Sequence, residues 1–297
     1  MKKLFHYQFL ILTSLIGFIF FLSLPALFVF QNLDKNTEHL QMDTTSFLTA
    51  YKDITAKLLE FNISPVIETW TKPEVMESYF YSLKIFGLSL IFTIILGFLF
   101  AFAYMMFPLK LRSPFKSALN FIEGIPDLLI IFLIQMGLFA LYRDYGIQLF
   151  KMYGIFGAKP LILPVIFITI VTALFFAQFL VKAMEEEYEN QYILLARAKG
   201  VPRASLLGRH LFRNIYPIVI IQFRSIVFML LTSLVLVENM LLLNGYTKEL
   251  HEIITSPARS VLSVLFYLFM FMVPVFLLEI IGNVSARAIT KKRGVVI

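Results

Sequence analysis

PLILPVIFITIVTALFFAQFLVKAM, residues Pro160–Met184, is the stretch whose reading decides the fold. In this run only Lys182 carries a charge, and it sits near the end. A helix that crosses a bilayer needs about 20 mostly apolar residues, and this run exceeds that length before stopping abruptly at Glu185-Glu186-Glu187. The same template, applied outward in both directions, gives six spans. They lie near Gln8–Phe30, Tyr81–Phe107, Ile125–Tyr142, Pro160–Met184, Pro217–Val237 and Val261–Ala286. The first follows Lys2-Lys3 and resembles a secretory leader. Its length, and the absence of a small-x-small cleavage site in Gln31-Asn32-Leu33-Asp34, mark it as retained.

Composition agrees. Of the 297 residues, 59% are hydrophobic and 15% charged, against about 45–50% and 25% in soluble domains. Mean hydropathy is +0.81. A soluble globule cannot bury that much apolar surface, so the expectation is an all-α polytopic membrane protein. The net charge of +7 belongs to loop cations rather than to a nucleic-acid site. With the N-terminus inside, Lys2, Lys3, Lys110, Arg112, Lys116, the Arg197–Arg213 cluster and Arg287–Arg293 all fall on the cytoplasmic side. Acidic residues dilute the cations of the opposite loops. The positive-inside rule then places both termini in the cytoplasm. Cysteine is absent, and the four histidines have no metal-site spacing. His251-Glu252 opens like a zinc-protease motif, but Thr255 stands where its second histidine belongs. No metal site and no catalytic constellation is expected.

The chain is organised as an N-terminal transmembrane helix over 1–33, an extracellular helical insertion over 34–78, and a five-helix core over 79–297. The insertion is either a small cap over the outer mouth or a tether. The core holds a cytoplasmic loop, 185–216, that carries the most information. Glu185 to Lys199 reads as one helix with acids in its first turns and Arg197 and Lys199 in its last, both favourable to the helix dipole. Gly200 stands where a left-handed cap is wanted. Pro202 opens a second short helix, about Arg203–Asn214, with Arg209 and Arg213 on one face, and Pro217 starts the next span. On spacing alone, such a pair of helices suits either a groove on another protein or an anionic lipid surface.

Tyr192-x-x-x-Ala196-Arg197-Ala198-Lys199-Gly200, followed by Arg209, Arg213, Asn214 and Pro217, resembles the coupling loop of ABC-importer permeases. The run A-R-A-K-G is closest to that of the dipeptide, oligopeptide and nickel branch. Glu238-Asn239 with Asn244-Gly245-Tyr246, and Gly124-Ile125-Pro126, resemble further features of that branch. Asn244 replaces the branch's usual proline, and the tail Ser285–Thr290 lacks its Asp-Pro-Arg. The resemblance implies a type I importer-like permease fold. It also implies a subunit forming half of the path for a small solute, peptide or metal-chelate-like, delivered by an external binding protein. The implied partners are two cytoplasmic ATPase subunits, a second and related permease, an extracellular solute-binding lipoprotein, and membrane lipid. The chain has no phosphate-binding loop of its own, so ATP and Mg belong to the ATPase subunits.

Charges inside spans face protein or water-filled paths. Arg224 and Glu279 each lie about seven residues from a span end, or about 10 Å deep. They form either a structural pair or a contact to cargo, and they join Glu238, Asn239, Asn244 and Gly245 as path or gate candidates. Glu238 either accepts a hydrogen bond from the following turn or lines the outer gate. The rival reading of an ion-driven secondary transporter calls for midplane carboxylates or broken-helix repeats, and an intramembrane enzyme calls for a catalytic cluster. The sequence offers neither.

Overall fold

A computed structural model describes residues 2–34, 37–60, 62–151, 153–154, 157–255 and 261–293. The chain divides into two units: Met1–Lys72 with Ile253–Leu268, and Pro73–Glu252 with Phe269–Ile297.

In the first unit α1 spans Lys2–Ser23 and gives way to a 3-10 turn, Leu24–Leu27. The expected first span ran on to Phe30. Pro25 stops the helix earlier, because it has no N–H to donate and its ring crowds the preceding turn. The chain then forms an antiparallel hairpin, β1 (Phe28–Asp34) and β2 (Thr37–Met42), pairing Phe28 with Met42 and Gln31 with His39, with an irregularity between Asn32 and Asp34. The insertion is therefore not purely helical. A run rich in Phe and Val satisfies strand preferences as well as membrane hydropathy. Helices α2 (Thr44–Leu59) and α3 (Ser64–Trp70) follow.

Asp43 caps α2. Its Oδ1 accepts the Thr45 N–H at 2.9 Å and the Ser46 N–H at 3.3 Å, and both hydroxyls donate to its carboxylate at 2.6 Å. Ile54 of α2 packs with Ile19 of α1 and Val261, flanked by Leu22, Tyr51, Leu58 and Leu265. Trp70 stands edge-on to Phe266 and Tyr267 at 5.2 and 5.8 Å.

The second unit is a helical bundle. Pro73 opens α4 (Pro73–Met106), whose 34 residues extend about 51 Å, well beyond the hydrocarbon thickness. Next come α5 (Leu109–Glu123), an amphipathic helix where no element was expected, and α6 (Asp127–Tyr145), entered through Gly124-Ile125-Pro126 and ended by left-handed Gly146. The remaining helices are α7 (Ile162–Tyr188), α8 (Gln191–Ala198), α9 (Arg203–Ser205), α10 (Phe212–Met240), α11 (Tyr246–Thr255) and α12 (Val261–Arg293), of which the end of α11 from Ile253 and the start of α12 to Leu268 count with the first unit. A π-helical turn, Leu206–Leu211, joins α9 to α10. Five helical stretches among the described residues are long and apolar enough to cross a membrane: Pro73–Met106, Asp127–Tyr145, Ile162–Tyr188, Gln222–Met240 and Val261–Gly282. A shorter apolar stretch, Leu12–Leu27, lies where the first of the six expected spans was read.

The α4–α7 pair is the core. Thr93 and Thr172 share a hydroxyl hydrogen bond at 2.6 Å, and Gly97 lies directly under the buried Phe176 ring. Between apolar helices in a bilayer, small residues provide attraction by letting backbones and side chains come close.

Two expectations follow. Gly97→Ala pushes a methyl into the Phe176 ring, so thermal unfolding in detergent should show a loss of about 1–3 kcal/mol, largely restored by adding Phe176→Leu. An unchanged midpoint for Gly97→Ala would contradict the close packing. The Ser46 and Thr45 hydroxyls and their amides hold the Asp43 carboxyl at about 2, below its ordinary 3.8. The cap therefore stabilises α2 fully above about pH 3.8 and loses that contribution as pH falls through about 2. NMR titration of the Asp43 carboxyl carbon should show the low midpoint, and Thr45→Ala with Ser46→Ala should return it towards 3.8.

Candidate functional site

The connection from α7 to α10 is anchored by two carboxylates near the end of α7. Glu185 accepts the Tyr104 hydroxyl of α4 at 2.5 Å and the Lys116 ammonium of α5 at 2.6 Å. Glu187 accepts the Tyr192 hydroxyl of α8 at 2.6 Å and Asn214 Nδ2 of α10 at 3.2 Å. Residues two apart on a helix lie about 200° apart around its axis, so these carboxylates grip different neighbours. Desolvation, and then the bond to Glu187, push the Tyr192 hydroxyl up to about 12. It remains a donor at neutral pH.

The expected helix from Glu185 to Lys199 is two helices. α7 continues to Tyr188, the chain turns at Glu189-Asn190, and α8 begins at Gln191. The acids thus sit at a helix C-terminus, where the dipole disfavours them, and partners from α4, α5, α8 and α10 supply the compensation. At its other end α8 closes as the sequence implies. Gly200 is left-handed at φ +76°, its N–H donates to Arg197 O at 3.0 Å, and Val201 N–H donates to Ala196 O at 3.2 Å. These are the two bonds of a Schellman cap.

The second expected helix, Arg203–Asn214, also differs. α9 is one turn long, and the π turn carries it directly into α10, so Pro217 lies inside α10 rather than at its start. Pro217 has no N–H for the Arg213 carbonyl. Arg203 Nη2 reaches Phe107 O at 3.4 Å.

Within the loop, Ile193, Ala196, Leu206, Leu207 and Leu211 are buried. Leu194 and Leu195 are 51% and 58% exposed, and Arg197, Ala198, Lys199, Gly200 and Arg209 share that accessibility, as does Arg213. Arg197 stacks 5.5 Å over the Tyr188 ring. The outward surface of α8 is therefore two leucines ringed by cations, while Tyr192 turns inward.

A second polar cluster lies at the far end of α10. Glu238 is 1% exposed. It accepts hydrogen bonds from Ser82 Oγ of α4, Thr247 Oγ1, and the Thr247 N–H at 3.1 Å. Ser82 Oγ in turn accepts the Tyr246 N–H at 2.7 Å. Gly245 packs against the Glu238 carboxylate so closely that a Cβ has no room. Asn244 reaches Gly154 O at 3.4 Å and accepts Lys248 Nζ at 3.0 Å, whereas Asn239 is exposed and bonds back to Val235 O at 2.7 Å. Glu238 is thus the anchor of the turn rather than an exposed lining group. Among its partners, Ser82 and Thr247 carry no motif that marks them in sequence.

Arg224 and Glu279 approach to 3.6 Å, with side chains 62% and 35% exposed. They pair, and they do so on the surface of this chain. Arg224 also lies 5.7 Å over the Phe228 ring. Among the described residues no group of three metal-ligating side chains is present.

The family described as binding-protein-dependent transport system inner membrane component matches residues 93–291. The inner membrane ABC transporter permease protein YejB of Escherichia coli O157:H7 is 34% identical over 101 residues. That segment is 34% of this chain and spans only 27% of the relative's length. A solved structure described as an amino acid ABC transporter with histidines superposes with a TM-score of 0.51 at 14% identity, covering 73% of this chain and 94% of that one. At that identity the likeness is one of fold.

The turn anchored by Glu238 gives a direct test. Glu238→Leu leaves the Ser82 and Thr247 donors without an acceptor, at about 1–3 kcal/mol for each orphaned group, whereas Glu238→Gln keeps one acceptor oxygen. Unfolding midpoints in detergent should rank wild type above Gln and Gln above Leu, and equal midpoints would exclude the anchoring role.

Proposed function

This chain belongs to the family of binding-protein-dependent transport system inner membrane components, and from that premise we propose that it is a permease subunit of an ATP-driven importer of the dipeptide, oligopeptide and nickel branch. It forms half of a translocation path with a second, related permease. An extracellular binding protein delivers a small solute, peptide or metal-chelate-like, to the outer mouth. Two cytoplasmic ATPase subunits hold ATP and Mg, and this chain supplies no nucleotide site. Both termini and the α7–α10 connection face the cytoplasm, in keeping with the loop cations.

The observation that carries the reading is the outward surface of α8. Leu194 and Leu195 stand exposed beside Arg197 and Lys199 on a helix whose end is fixed by the Gly200 cap. A short capped helix with apolar centre and cationic rim suits a groove on a partner. ATP binding draws the ATPase pair together, the docked α8 moves with it, and the spans shift between inward-open and outward-open arrangements. Coupling of this kind requires that the loop be held differently in two global states. The polar face of α10, with Arg224 paired to Glu279 on the chain surface, lines the path, since a bilayer does not accommodate exposed charge at that depth.

Gly200 provides the test. No atom lies within 4 Å of a Cβ built there, so Gly200→Val strains only the backbone, by about 1–2 kcal/mol. The Val variant should reach the membrane at normal amounts, yet copurify with markedly less ATPase or hydrolyse ATP without driving uptake. Gly200→Asn should be milder, because Asn tolerates left-handed backbone. Normal copurification and normal coupling in the Val variant would argue for a lipid-surface role of α8 instead. Failure of the unaltered chain to retain any ATPase would favour an ion-driven transporter.

A further inference from the structure

We infer that Glu187 is a positioning residue for energy coupling: with Tyr192 and Asn214 it clamps α8 to the ends of α7 and α10, so that displacement of the docked helix is passed to the spans. This rests on the reading of the chain as an importer permease. α8 is joined to its neighbours by two short non-helical connections, the Glu189-Asn190 turn before it and the Gly200–Pro202 segment after it. Its underside, Ile193 and Ala196, is buried and apolar. Apolar contact is non-directional and lets a short helix roll. A short bond from Tyr192 to a carboxylate is directional and charge-assisted, and it fixes the rotation of α8 about its axis. The same carboxylate takes Asn214 from α10, so one group ties three helices. Two residues earlier, Glu185 ties α7 to α4 and α5. The end of α7 thereby acts as a crossbar between the loop and the bundle. None of the three clamp residues belongs to the exposed leucine and cation surface, so docking and transmission are separable.

The test uses the whole transporter, permeases with their ATPases, in detergent and in vesicles. The chain has no native cysteine, so Thr232→Cys on the exposed side of α10 serves as a reporter of span movement through its maleimide labelling rate, without and with ATP plus vanadate. In the otherwise unaltered chain, nucleotide should change that rate several-fold. Glu187→Ala should retain its bound ATPase and its hydrolysis but lose most of the nucleotide-dependent change, and Tyr192→Phe should lose a large part of it. Glu187→Gln, which still accepts the Tyr192 hydroxyl, should recover it. An undiminished response in both Glu187→Ala and Tyr192→Phe overturns the clamp. So does loss of bound ATPase in these variants, since that places the residues in docking, and so does a reporter that ignores nucleotide in the unaltered chain. Absence of ATPase from the unaltered complex overturns the importer reading itself, and the clamp with it.

Discussion

Everything in the bundle hangs on the close approach of α4 to α7. Inside a bilayer the backbone has no water to bond to, so each span must satisfy itself as a helix, and apolar helices gain little by leaving lipid for one another. What holds the pair is shape and a few internal hydrogen bonds: Gly97 under the Phe176 ring, and Thr93 against Thr172. Because the two helices are locked together, the polar groups at their ends are positioned together. Ser82 and Tyr104 lie 22 residues apart on α4, or about 33 Å, close to the thickness of a hydrocarbon core. One serves the Glu238 cluster and the other the Glu185 cluster, so a single packed pair sets the geometry at both faces.

The chain uses carboxylates as hubs rather than as chemistry. Glu238 gathers a turn onto α4 and α10, Glu185 gathers α4 and α5 onto α7, and Glu187 gathers α8 and α10 onto α7. Each sits where secondary structure ends and backbone groups need partners, and each accepts bonds from hydroxyl, amide or ammonium donors on different elements. Arg224 and Glu279 differ, being exposed on the chain surface. Charges left facing outward from a membrane helix call for another protein or a water-filled path beside them, so this pair stands apart from the internal scaffold that the other carboxylates build.

The sequence by itself determined the class of fold, the apolar spans and the position of the capped loop. Those follow from local quantities: about 20 apolar residues cross a bilayer whatever their neighbours, and a glycine after Ala198-Lys199 is where a helix can turn left-handed without a Cβ penalty. It did not determine where elements stop when two local signals compete. Pro25 ends α1 inside an apolar run, the following Phe-rich stretch pairs as a hairpin, and Glu185 to Lys199, read as one helix, breaks at Glu189-Asn190. Only the tertiary structure decided which carboxylate meets which donor. Ser82 and Glu238 are 156 residues apart, and Tyr104 and Glu185 are 81 apart. Helical periodicity assigns a residue to a face but not to a partner on another helix; that pairing is fixed by how closely α4 and α7 can pack.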